Sequence, residues 1–523
     1  MSNFLSQVES INGSINGVVW GIFGLALLIG TGIIVTLCTK FFQVSHIGLW
    51  WKSTIGKLFA KNVIGHRKDK QISPFQALCT ALAATVGTGN IAGVAAAICI
   101  GGAGAVFWMW VAAFFGMMTN YAENVLGIYF RRKNSEGEWS GGAMYYLQDG
   151  MGRYSYKDHQ GEASLKKPGR ILAVLFCIFT MLASFGIGSM GQVNKIVANV
   201  AAAFDVRALS GINVFGEVSL YNIILGVLIM ILTAVITLGG VKRIATVAEK
   251  IVPFMVVLFV IGSLVIIGIN YQAIIPAFKA SFVNAFAPEA FVGGGIGGVI
   301  IAMTNGFKRG VFSNEAGLGS SVMVHSNSSV KEPVQQGMWG IFEVFADTMV
   351  VCTMTALVVL TSGGLNGGVF NAKTGEIAEG FTDATLVGGA FNEVFSWGDI
   401  GTKFVAIAMF LFAFTTVLGW SHYGSKAWEY LFGAKTTVIF RIIHVITVIF
   451  GAVLTSSLAW DISDTFNGLM MIPNLIGVLF MIPLVVKITK NYLDRRVKKQ
   501  DVAPMISYDP EIQAEQAAEV GEE

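Results

Sequence analysis

Read from its first residue, the chain alternates long apolar runs with short polar segments. A helix needs about 20 apolar residues to cross the hydrocarbon core of a bilayer. Eleven runs meet that requirement: 17–38, 74–99, 104–131, 168–200, 217–239, 247–270, 291–323, 337–361, 401–430, 436–457 and 462–488. Only helices and closed barrels satisfy their own backbone groups in lipid. The pattern therefore predicts an all-α polytopic membrane protein with 11 transmembrane helices. Composition narrows it further. Of 523 residues, 54% are apolar and 13% charged, against about 25% charged in an ordinary soluble domain. So little charge cannot cover a soluble surface, which excludes a soluble enzyme, a secreted disulfide scaffold and a disordered chain. Glycine is in excess, at 62 residues.

Charge sets the expected orientation. With the N-terminus outside, the inner loops hold 27 Lys and Arg residues and the outer segments three, Arg207, Lys279 and Lys373. Such a bias predicts a cytoplasmic C-terminus. No basic residue precedes Lys40, so run 17–38 reads as a span and not as a cleaved leader. The net charge of +3 points to no nucleic-acid partner. The five cysteines fall in apolar segments without a Cys-x-x-Cys pair and predict buried thiols. The histidines form no metal-spaced pair, and no cofactor is expected. The tail 500–523, with seven acidic residues, predicts disorder.

Two spans carry polar, glycine-rich interruptions. The first reads Ala83-Ala84-Thr85-Val86-Gly87-Thr88-Gly89-Asn90-Ile91. The second reads Thr304-Asn305-Gly306-Phe307-Lys308-Arg309-Gly310 and then Ser313-Asn314-Glu315-Ala316-Gly317. Backbone that leaves helical geometry at membrane depth must face a cavity or ligand. A half-helix that starts there offers N–H groups to an anion, and one that ends there offers carbonyls to a cation. The competing explanation is close helix packing through small residues. Five spans follow from each interruption, an odd number, so the second set inserts upside down. The chain then divides into an extra helix and loop (1–73), a first repeat (74–270), a second inverted repeat (271–488) and a tail (489–523). Inverted repeats that each open on a discontinuous helix describe secondary transporters with a midplane site.

The run Gly101-Gly102-Ala103-Gly104-Ala105-Val106-Phe107-Trp108-Met109-Trp110, closing at Gly116, resembles the signature of the alanine or glycine:cation symporter family. Gly87-Thr88-Gly89-Asn90 and Ser313-Asn314-Glu315-Ala316-Gly317 also look like that family, over nearly the whole chain. The resemblance implies a leucine-transporter-like fold, sodium as coupling ion, alanine or glycine as substrate, and the inner membrane of a prokaryote. A monomer is expected. The resemblance also implies sodium held by carbonyls of Ala83 and Val86 and by hydroxyls of Thr415 and Thr416. Back-bonding to the preceding turn is the ordinary fate of such a pair. The substrate carboxylate is expected near Gly87, Thr88, Gly89 and Asn90, and its ammonium at carbonyls around Thr304, Asn305 and Gly306. Thr416 and Trp420 share a face, so Trp420 is a candidate pocket wall or an interfacial aromatic. Gln192, costly inside a span unless paired, is a candidate substrate partner or an interhelical bond.

Glu343 and Asp347, four residues apart, are expected on one helical face. Lys308 and Arg309 are candidate partners for them or for Glu315, in an ion-pair network near the cytoplasmic mouth. A proton-coupled carrier using Glu343 or Glu315 is the alternative function. Gly293, Gly295 and Gly298 mimic a dinucleotide fingerprint, but no strand precedes them, so that reading is rejected. Residues 140–150 are expected to lie along the inner membrane surface.

Overall fold

The computed structural model describes residues 2–58, 71–151, 166–215, 218–286, 296–371, 376–381, 383–395, 397–453 and 457–521. Among them, nine helices are long and apolar enough to cross a membrane, and one bent pair makes a tenth span. The start of the run expected at 291–323 lies outside the described residues, as do Gly293 and Gly295.

The helices used below, in chain order, are α1 (Ser2–Val19), α2 (Ile22–Cys38), α3 (Pro74–Thr85), α4 (Val94–Gly101), α5 (Gly104–Tyr129), α6 (Lys166–Phe185) and α7 (Gly191–Ala203). They continue with α8 (Leu220–Thr237), α9 (Gly240–Ile269), α10 (Ile296–Asn314), α11 (Val322–His325), α12 (Pro333–Val344) and α13 (Thr353–Leu360). The last four are α14 (Ile400–Phe432), α15 (Thr437–Val453), α16 (Ser457–Arg496) and α17 (Pro510–Gly521). Helix α3 starts on a capping box: Ser73 Oγ accepts the Gln76 N–H, and Gln76 Oε1 accepts the Ser73 N–H, each at 3.0 Å. Pro74 occupies the first helical position, where no N–H is needed.

Packing follows a reciprocal pattern. Helix α5 packs on α10 and α12, α7 on α14, and α8 on α15. Helix α6 packs on α16 and α9 on α14. The signature run serves this packing. Trp108 Nε1 donates to Ala285 O at 3.1 Å, and Trp110 Nε1 to Thr353 Oγ1 at 2.9 Å.

Three expectations change. The tail is ordered from Gln500 onward and ends in α17. Ile506 is fully buried, the Tyr508 ring packs at a tilt against Phe130 with centroids 5.1 Å apart, and its N–H donates to Tyr129 O. An acidic composition suggested disorder, but one aromatic and one branched residue anchor the segment. Residues Ser140–Leu147 are buried, with Ala143–Leu147 in the main apolar core and not on a membrane surface. Cys38 is exposed, while Cys79, Cys177 and Cys352 are buried.

Candidate functional site

Helix α3 stops at Thr85 and the chain bends by 55° before continuing through Gly89–Gly101. The cause is local. The Gly87 N–H donates to Asn90 Oδ1 at 2.8 Å, not back along the helix, so the Ala83 carbonyl has no helical donor from that position. Residues Gly89–Gly93 then form a π-turn. Further π segments occur at Gly186–Met190 and Phe345–Cys352. Such bulges concentrate at functional sites because they re-aim side chains and free carbonyls.

The second break falls in the later part of the expected interruption, at Ser313–Gly317, and not in its earlier part. Helix α10 runs unbroken through Thr304, Asn305 and Gly306 and ends at Asn314. There Gly306 lets α10 approach α5, since a Cβ would sit 2.4 Å from Ala105 O. Asn305 Nδ2 donates to the carbonyl one turn back, Ile301 O. Carbonyls at 304–306 are thus engaged in a helix, and these three residues do not form the ammonium site assigned to them. The chain leaves the helix at Glu315 (φ +56), with Gly317 (φ +91) and Gly319 (φ +72) following. A left-handed glutamate is uncommon and persists only where its surroundings hold it. Here Glu315 Oε2 accepts Ser320 Oγ at 2.6 Å, and Oε1 accepts Trp420 Nε1 at 2.9 Å.

Asp347 joins the two breaks. It is fully buried. Its Oδ1 accepts Asn90 Nδ2 at 2.7 Å. Its Oδ2 accepts Ser313 Oγ and Thr348 Oγ1, both at 2.8 Å. One carboxylate therefore ties the first break to the last turn of α10. Asp347 lies in the Phe345–Cys352 π segment, whereas Glu343 on α12 has separate partners: its Oε2 accepts Asn120 Nδ2 at 3.0 Å and meets His325 Nε2 at 2.9 Å. Among the described residues, the ion-pair network expected to join these two acids does not form. Lys308 pairs with neither; it lies 2.8 Å from Asp464.

Helix α14 faces the first break. A Cβ on Gly87 would stand 2.4 Å from Thr416 Oγ1. Thr416 Oγ1 donates to Phe412 O at 3.0 Å. Thr415 Oγ1 donates to Leu411 O and Phe412 O, and its other neighbour is Met255 Sδ of α9. Only Thr416 thus meets the break directly. Trp420 lies one turn along. Gly188 of the second π segment makes room for it, because a Cβ there would be 2.4 Å from Trp420 Cβ. Gln192 follows on α7: its Oε1 faces the Thr88 N–H at 3.4 Å, and its Nε2 donates to Ile187 O at 3.1 Å. The structure thus brings together Gly87, Thr88, Asn90, Gln192, Thr416 and Trp420, with Gly89 in the same turn. It also brings in Ser313, Glu315 and Asp347, which the sequence marks as part of the second interruption or as acids at membrane depth but does not place in the substrate or ion site.

Neutral oxygens lie close to the first break: Thr416 Oγ1 stands beside Gly87, and Asn90 Oδ1 accepts the Gly87 N–H.

The chain matches known transporters along most of its length. It is 42% identical over 494 residues to the sodium/alanine symporter AgcS of Methanococcus maripaludis, covering 94% of this chain and 98% of that one. It is 34% identical to the putative sodium/proton-dependent alanine carrier protein YrbD of Bacillus subtilis, covering 95% and 94%. It is 33% identical to the probable sodium/glutamine symporter GlnT of the same organism, covering 94% and 92%. The model of the sodium:alanine symporter family matches residues 5–506, and the chain belongs to that family of multi-pass membrane transporters.

Proposed function

We propose that the chain carries alanine or glycine into the cell with sodium, by alternating access. The supporting observation is the pair of facing breaks, held together by Asp347 and lined by Gly87, Thr416 and Trp420. The substrate carboxylate meets the N-terminal end of the Gly89–Gly101 segment, beside Thr88 and Asn90. Its ammonium meets the last carbonyls of α10, which lack helical donors, and the Glu315 carboxylate. Sodium sits at the carbonyls of Ala83 and Val86 with Thr416, and Thr415 takes part only after its rotamer changes. No covalent bond changes, so conformational exchange limits the rate. Sodium and substrate bind cooperatively because both stabilise the closed arrangement of the breaks.

The helix pairings support an inverted repeat. If α3 to α9 and α10 to α16 are equivalent halves, α5 meets its counterpart α12, α6–α7 meet α14, and α8 meets α15. The cross pairs α6 with α16 and α14 with α9 are likewise equivalent. A two-fold relation requires such reciprocal contacts. The excess of basic residues in alternate loops supports an N-terminus outside and a C-terminus in the cytoplasm, with α1 and α2 outside the repeat.

A proton-coupled carrier is the second reading. It is favoured by four buried carboxyl groups, Glu123, Glu315, Glu343 and Asp347, of which Glu123 Oε2 and Glu343 Oε1 have no protein partner. The test is competition. Radiolabelled alanine uptake is measured against a panel of small and large amino acids, with and without sodium. The sodium-coupled reading expects displacement by alanine and glycine only, and only with sodium. Displacement by glutamine, or uptake unchanged in potassium, would overturn it.

A further inference from the structure

Helix α1 and the Trp20 that follows it lie outside both halves, and transport at the breaks assigns them nothing. Their contacts converge on one carboxylate. Asn16 Nδ2 donates to Asp464 Oδ2 at 3.2 Å and to Thr465 Oγ1 at 3.0 Å. The buried Trp20 donates its Nε1 to the Asp464 backbone carbonyl at 3.0 Å, and its ring lies 5.6 Å from Lys308 Nζ. Lys308 Nζ in turn lies 2.8 Å from Asp464 Oδ2. Asp464 on α16 is thus clamped between α1 and α10.

That clamp forms one wall of a cavity of about 270 Å³. Thr88, Ala92 and Phe312 line it from the two breaks, and Lys195, Arg309 and Asp461 add charge. The cavity lies between the first break and the N-terminal side of the bundle. Two of its charged residues each keep one buried atom without a protein partner: Asp464 Oδ1, an acceptor, and Arg309 Nε, a donor. Both atoms are closed to water and costly to leave unmatched, so a small side-chain shift toward a ligand is favoured, and the cavity presents Arg309 opposite in charge to Asp461 and Asp464. A zwitterion supplies the two complements in one small molecule.

We infer that this cavity is an entrance subsite for the zwitterionic amino acid, and that Asn16 and Trp20 are positioning residues that hold Asp464 for it. Arg309 receives the carboxylate and Asp464 Oδ1 the ammonium, while Lys308 keeps Oδ2 occupied. The amino acid then passes Thr88 to reach the breaks. This rests on the amino-acid transport reading above.

The test is initial-rate uptake by the full chain in liposomes across a range of alanine concentrations. R309Q and D464N should each lower uptake at trace alanine by about tenfold and approach the wild-type rate at saturation, since capture, not translocation, is weakened. N16A, which does not line the cavity, should lower trace uptake by about threefold, and adding it to D464N should have no further effect, because both act through one carboxylate. D464E keeps the charge and should recover part of the loss even where D464N fails to fold. Loss of the saturating rate at unchanged half-saturation would overturn the inference, as would full additivity of N16A and D464N. A wild type that accumulates another small amino acid, or does so without sodium, overturns the proposed function; the same kinetic split on that substrate still decides the entrance site.

Discussion

Asp347→Asn probes the joint between the two breaks with no change of shape. Three donors converge on the native carboxylate: Asn90 Nδ2 at 2.7 Å, Ser313 Oγ at 2.8 Å and Thr348 Oγ1 at 2.8 Å. An asparagine keeps one acceptor oxygen and turns the other into an NH₂ group. If that group faces Asn90, donor meets donor. If it faces Ser313 and Thr348, both hydroxyls must rotate, and Ser313 has Cys352 Sγ at 3.1 Å as its other partner. In either orientation at least one charge-assisted bond is lost, worth about 1.5–3 kcal/mol, and a buried donor left unmatched costs about 1–3 kcal/mol more. Part of this loss falls equally on the free and the substrate-bound protein. The remainder that falls on the bound form, roughly 1.5–3 kcal/mol, corresponds to a 10- to 100-fold rise in half-saturating alanine at about 1.4 kcal/mol per tenfold. The assay is uptake by reconstituted protein, with size-exclusion profiles showing that the variant is folded. A folded variant with wild-type half-saturation for alanine and sodium would refute the assignment of Asp347 as the tie between the breaks.

Other outcomes follow from single contacts. Thr416→Ala should raise the sodium concentration for half-maximal uptake, read from sodium titrations at fixed alanine; an unchanged value removes Thr416 from the ion site. Gly87→Ala places a Cβ 2.4 Å from Thr416 Oγ1, so uptake should fall at least tenfold, and adding Thr416→Ala should restore expression without restoring sodium affinity. Trp420→Phe leaves Glu315 Oε1 without its 2.9 Å donor, which costs about 1–3 kcal/mol, and should let larger amino acids compete in the uptake panel. Truncation after Asp501 removes the exposed pairs Lys133–Glu515 and Lys331–Glu519, each worth about 0–1 kcal/mol, together with the Tyr508 anchor. Thermal unfolding should shift downward by a few degrees with uptake retained; loss of folding would show that the tail is part of the core.

The apolar runs and the first break were legible because each rests on a local rule. Nine long spans and a bent pair stand where hydropathy puts them. Of the second interruption, the part from Thr304 to Gly310 stays helical because Gly306 is a packing contact with α5, and only the part from Ser313 to Gly317 holds the break. The actual departure uses a non-glycine residue, Glu315, at positive φ. Only tertiary contacts to Ser320 and Trp420 hold it there, and a sequence pattern carries no trace of them. The π segments were equally silent. One of them holds Asp347, and another places Gly188 against Trp420. The Thr415–Thr416 pair shows the opposite limit: adjacent hydroxyls point about 100° apart on a helix, so one faces Gly87 and the other α9. The tail was misread because its composition is acidic, while two residues, Ile506 and Tyr508, dock it.

The most direct test of sodium coupling at the paired breaks is simultaneous flux of radiolabelled alanine and sodium into liposomes holding the purified chain. The account predicts that alanine accumulates against its gradient only when sodium flows inward, with sodium entering in fixed proportion to alanine. Accumulation that persists when potassium replaces sodium, and follows an imposed pH gradient, would contradict it.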